Sequence, residues 1–141
     1  MHFTLDELCA SATAKAKGII NKPDVSQIIN LVYLGAYVLE PLRVALGEPI
    51  KISSGFRCQA LNKAVGGVAN SQHCKGQAAD LCIDGDMDKG KRWFDYIRKH
   101  LDFDQLIWEH NAQGVYWVHV SFVHPDFGKN RRQVIDNLLK K

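Results

Sequence analysis

The sequence predicts an α+β fold, with helices packed on a small, mostly antiparallel sheet. Three observations predict it. The chain has 141 residues, of which 46% are hydrophobic and 23% charged, enough apolar material for the core of one domain spanning 1–141. Stretches with helical spacing are interleaved with short runs of strand character. The stretch Val115 to Phe122 alternates strictly, so its two sets of side chains must face opposite ways. No repeat, low-complexity tract or internal linker divides the chain.

The elements follow in order. Phe3-Thr-Leu-Asp-Glu-Leu8 reads as a helix start: Thr4 caps, Glu7 completes a capping box and Phe3 staples to Leu8. Asp24 opens a longer helix with Val25, Ile28, Ile29, Val32, Ala36 and Leu39 as its apolar face. Pro41 is expected to kink or end it, with a brief resumption through Leu42 and Val44 before the Gly47-Glu-Pro49 turn. Ile50 to Ser53 is a short strand. Arg57 to Val65 is a helix with Leu61, Ala64 and Val65 inward, stopped by Gly66-Gly67. Ala78 to Ile83 is a second strand. Asp86 or Asp88 caps a helix carrying Trp93, Phe94 and Ile97. Phe103 to Glu109 and Val115 to Phe122 are strands joined by a turn at Asn111 to Gly114. Asn130 and Gln133 are expected to cap a final helix with Val134, Ile135, Leu138 and Leu139 on its apolar side.

Charge and cysteine usage narrow the function classes. The net charge is +3, and the basic residues are scattered apart from Lys129-Asn-Arg-Arg132 and the last two lysines, which argues against nucleic-acid binding. Cys9, Cys58, Cys74 and Cys82 form no CxxC pair, so free thiols in a reducing compartment are expected. Met1 to Glu7 shows no basic segment followed by an apolar one, and no stretch approaches about 18 uninterrupted apolar residues. The expectation is a product without a signal peptide and without membrane insertion, cytoplasmic when made, and monomeric.

The chemistry lies in two segments, Ser71-Gln-His-Cys-Lys-Gly-Gln-Ala-Ala-Asp80 and Trp117-Val-His-Val-Ser121. Two imidazoles and a carboxylate (His73, Asp80 and His119) suit one divalent zinc ion and leave its fourth tetrahedral position open to water. Tyr116, Val118, Val120 and Phe122 make a core face, so Val115, Trp117, His119 and Ser121 look the other way. Gln105, Ile107 and Glu109 share one face of the preceding strand. If the turn pairs the two strands, Glu109 and His119 approach one cleft. The other histidines (His2, His100 and His124) have no partner at ligand spacing and are expected at the surface, while His110 should point away from Glu109.

Ser54-Gly-Phe-Arg57, His73-x-x-Gly76-x-Ala78-x-Asp80, Glu109 and Trp117-Val-His119, in this order, resemble the M15 family of zinc D,D-carboxypeptidases and murein endopeptidases. The resemblance runs from about Phe3 to Phe122 and is closest to short bacterial and phage members. It implies a hedgehog/DD-peptidase-like fold and a peptidoglycan peptide substrate. It also implies His73, Asp80 and His119 as zinc ligands, Glu109 as general base and Arg57 as the group that stabilises charge on substrate oxygens. Ser71 and Trp117 are expected to help hold the substrate. Many members carry the catalytic carboxylate three residues before the last histidine. Here that position is Tyr116, on the core face, and Glu109 is taken as its substitute.

Two other functions compete. One is a cysteine hydrolase built on Cys58 beside Arg57, which leaves the His73/Asp80 spacing unexplained. The other is a metal-containing binding module of the same fold without catalysis. A phage-type lysin, released to the wall through a pore made by another protein, would reconcile a wall substrate with the absent signal peptide.

Overall fold

The computed structural model describes residues 1–138. Five strands form one sheet in the order β1-β2-β4-β3-β5, where β1 is Lys51–Ser54, β2 Ala78–Cys82, β3 Gln105–His110, β4 Tyr116–Ser121 and β5 Gln133–Asp136. All neighbours are antiparallel except β3 and β5. Among the described residues six α-helices accompany the sheet: α1 (Leu5–Cys9), α2 (Ala12–Lys17), α3 (Val25–Leu34), α4 (Glu40–Leu46), α5 (Gln59–Ala64) and α6 (Met87–His100). The core joins one face of the sheet (Ala79, Leu81, Leu106, Trp108, Val118, Val120) to Leu31, Leu34, Leu42, Trp93 and Ile97 from the helices.

Local signals explain most boundaries. Thr4 Oγ1 accepts from Glu7 N, and Phe3 and Leu8 are both buried, as the staple requires. Asp24 and Gln27 form a reciprocal capping box on α3. Asp86, rather than Asp88, caps α6. Asn111 Oδ1 accepts from Gln113 N and Val115 N, which closes the β3–β4 turn.

Pro41 neither kinks nor ends its helix in the expected way. Between α3 and α4 the residues Gly35–Leu39 form a wider π-helical turn, in which Glu40 N–H bonds to Gly35 O. This five-residue reach makes room for the proline ring and its missing donor. It also rotates the phase of the apolar pattern. The buried stripe is Leu31, Leu34, Val38, Leu39 and Leu42, whereas Val25, Ile29, Val32 and Ala36 of the anticipated face are exposed. The run Val25–Leu46 is long and apolar enough to cross a membrane, but this stripe is fully packed in the core.

Three further expectations are corrected. Ala64 and Val65 at the end of α5 face solvent, and only Leu61 and Asn62 are buried there. His124 is buried rather than superficial, packed between the tilted rings of Tyr33 and Phe127. The C-terminal segment is not a helix. Gln133 to Asp136 add β5 to the open edge of β3, while Asn130 bonds the backbone of Val123 in both directions instead of capping. Val134 and Ile135 are β-branched and suit a pleated surface, and Arg131 and Arg132 fasten the segment to Asp104, Asp102 and the end of α6. Leu139, also placed in that helix, lies outside the described residues.

Candidate metal centre and cleft

The sheet brings the first two ligands together by register. Asp80 on β2 lies directly opposite His119 on β4, a position that holds facing Cβ atoms about 4.5–5.5 Å apart. Asp80 Oδ1 accepts a hydrogen bond from His119 Nδ1 at 3.0 Å. His73 arrives from the short 3₁₀ turn Gln72–Lys75, in which its own backbone N–H donates to Ser71 Oγ. The candidate donor atoms of His73, Asp80 and His119 all lie within 4.8 Å of one another, and all three residues are buried.

Two glycines make that approach possible. Gly76 adopts φ +73°, and a Cβ there would sit 2.4 Å from Gln27 O. The turn therefore presses against α3, where Gln27 Nε2 and Asn30 Nδ2 donate to the carbonyls of Cys74 and Lys75. Gly55 rests on the end of α1, with a would-be Cβ 2.1 Å from Leu8 O. Its carbonyl accepts from His73 Nδ1 at 2.7 Å.

That last bond decides the tautomer. A carbonyl can only accept, so Nδ1 carries the proton and the Nε2 lone pair points inward. His73 Nε2 faces Asp80 Oδ1 at 3.3 Å. Two acceptors at this distance require a cation between them, either a proton or a metal. Burial alone would raise the Asp80 carboxyl, but the hydrogen bonds and charge that His119 and His73 offer with a proton on the nitrogen facing it outweigh burial and hold the group well below the usual carboxylate range. The set of one anionic oxygen and two imidazole nitrogens suits one zinc ion.

The other expected residues line a cleft of about 560 Å³ over this triad. Arg57 is pinned by all three of its nitrogens: Nε donates to Ser54 Oγ (3.0 Å), Nη1 to Asn62 Oδ1 (3.1 Å) and Nη2 to Asp80 Oδ2 (3.5 Å). Ser54 is itself placed opposite Asp80 by an irregularity in the β1–β2 register. Glu109 and Trp117 are cross-strand partners on the cleft face, one step along from the Ile107–His119 pair. The Glu109 carboxylate makes no protein hydrogen bond among the described residues. Trp117 Nε1 is buried without a partner. Ser71 borders the cleft, with its hydroxyl oxygen already accepting from His73 N.

Sequence reading missed several groups that shape this site. Asn62 orients Arg57 and was hidden by its place in a short helix. Asp104 is buried and binds Arg131 through both carboxylate oxygens, at 3.0 and 2.7 Å, and Gln72 Nε2 at 3.0 Å. The visible signal for this cluster was the basic run Lys129 to Arg132. All four cysteines are free thiols, and Cys74, beside His73, is buried with its thiol pushed up by desolvation.

Comparison with known proteins agrees with this geometry. A stretch of the chain is 48% identical over 44 residues to a zinc D-Ala-D-Ala carboxypeptidase of Streptomyces albus G. The match covers 30% of this chain and 17% of that relative, so only a small part of the longer protein is represented. The model of one peptidase family covers residues 1–121, which contain His73, Asp80 and His119 as well as Glu109 and Arg57. On that breadth of match, the chain belongs to the Peptidase M15 family.

Proposed function

We propose that this protein is a zinc peptidase that hydrolyses peptide bonds of bacterial cell-wall peptides next to D-amino acids. The observation that carries the reading is the Gly55–His73 hydrogen bond, which turns the Nε2 lone pair of His73 onto the Asp80 carboxylate beside His119 and leaves two acceptors facing each other across a position for a cation. Bound zinc would polarise the scissile carbonyl and acidify water. His73, Asp80 and His119 would hold it, with the Gly55 carbonyl and Arg57 fixing their orientation. Glu109, with no hydrogen-bond partner among the described residues, takes the proton of the attacking water and delivers it to the leaving amine. Arg57 has its nitrogens locked by Ser54, Asn62 and Asp80, so its positive charge is set beside the site before substrate arrives. A substrate carboxylate or a developing oxyanion would meet this preset charge.

The test is incubation of the zinc-loaded protein with intact wall peptides and mass spectrometry of the products. Release of a terminal D-residue identifies a carboxypeptidase, and internal cuts identify an endopeptidase. A chelator should abolish turnover and zinc should restore it. Glu109→Gln should cut turnover by roughly 10²- to 10⁴-fold while the zinc content stays at one ion per chain. Full turnover in a strong chelator would refute the reading, and zinc binding without turnover on any wall fragment would leave a binding module.

A further inference from the structure

The cleft has a second guanidinium that the chemistry above does not use. Arg57 enters from the β1 end of the sheet order, while Arg131 enters from the β5 end, and Asp80 on β2 and His119 on β4 lie between them. Arg131 is built in. Its backbone N–H, Nε and Nη2 all bond to the carboxylate of Asp104 at 2.7–3.0 Å. Asp104 is only 2% exposed and also holds Gln72, the neighbour of a metal ligand. Arg131 Nη1 has no hydrogen-bond partner among the described residues, and the side chain is 57% exposed on the cleft wall. An arginine whose fork is half occupied by a buried acid presents its free donors in a fixed direction at little entropic cost.

We infer that Arg131 is a specificity-determining residue that binds a carboxylate of the substrate on the side of the scissile bond opposite Arg57. The register gives the backbone spacing between the residue that holds this guanidinium and the triad. His119 lies opposite Ile107, and Asp104 is three residues earlier than Ile107. That is about 10 Å at strand rise, and an extended peptide covers it in roughly two to three residues. The ligand is therefore an acidic peptide with a carboxylate two or three residues from the cut. This rests on the peptidase reading above.

The experiment uses the zinc-loaded protein and a synthetic wall-type pentapeptide, L-Ala-γ-D-Glu-meso-diaminopimelyl-D-Ala-D-Ala, with its carboxylates amidated one at a time. For the wild type, amidation of the glutamyl or diaminopimelyl carboxylate should raise KM about 10- to 100-fold with little change in kcat. In Arg131→Gln the same amidation should have no further effect. Because Arg131→Gln strands a buried Asp104, the paired variant Asp104→Asn/Arg131→Gln is run beside it and should behave alike. Equal acid-to-amide ratios in wild type and both variants would overturn the assignment, as would an unaltered KM for every amide. Should the wild type cleave none of these peptides, the peptidase reading fails separately. Calorimetric binding of the acid and amide peptides then decides the subsite: a preference for the acid that Arg131→Gln removes supports it, and no preference overturns it.

Discussion

At the scale of single residues, the site depends on groups that stand behind His73 and Arg57. Gly76 must keep its left-handed conformation and its contact with the Gln27 carbonyl. Gly76→Ala should cost about 1–3 kcal/mol from backbone strain alone. It should also weaken zinc affinity, because the displaced turn carries His73; thermal melts and metal titration read the two effects. Asn62 donates to Val68 O and accepts from Arg57. Asn62→Ala should lower kcat through a freed Arg57 while zinc binding stays near wild type. Measuring turnover and zinc stoichiometry on one preparation separates this outcome from general unfolding.

At the scale of elements, Asp104 is the fastening between the start of β3, the 3₁₀ turn before β2 and the segment leading into β5. Hydrogen bonding to Arg131, and then to Gln72, outweighs burial and holds its carboxyl below the usual carboxylate range. A depressed folded value means that the contribution is fully present above the unfolded value near 3.9 and fades as pH falls through the lower folded value. The stability difference between wild type and Asp104→Asn should therefore be largest above about pH 5 and shrink on acidification. Denaturant melts at pH 7 and pH 3 check it, and a gap that widens in acid would contradict it. The same fastening explains why the end of the chain forms a strand. Local sequence offered helical spacing there, but two arginine anchors and an open sheet edge favoured pairing with β3.

At the scale of the whole molecule, a cation held by His73, Asp80 and His119 would couple distant parts of the chain. His73 is held by Gly55 near β1 and by α3 behind the turn, and Asp80 and His119 sit on neighbouring central strands. A cation bound only by this folded arrangement stabilises it by mass action, about 2.7 kcal/mol at a free concentration of roughly one hundred times Kd. Zinc should raise the melting temperature in a concentration-dependent way, and a chelator should return it to the metal-free value. No zinc-dependent shift in calorimetry would contradict the triad as a metal centre.

The sequence by itself determined the clustering of His73, Asp80 and His119, the cleft face of β4 and the cross-strand approach of Glu109. Strand alternation has a period of two, and a short turn leaves few registers. It also determined the caps of α1, α3 and α6, which are local hydrogen-bond chemistry. Tertiary structure alone decided which face of α3 is buried, because apolar residues occupy both sides and the π-helical turn resets the phase. It also decided the parallel β5, the lock on Arg57 and the Asp104–Arg131 pair. Each joins residues far apart in the chain, and no local periodicity encodes which partner a side chain meets after the sheet has closed.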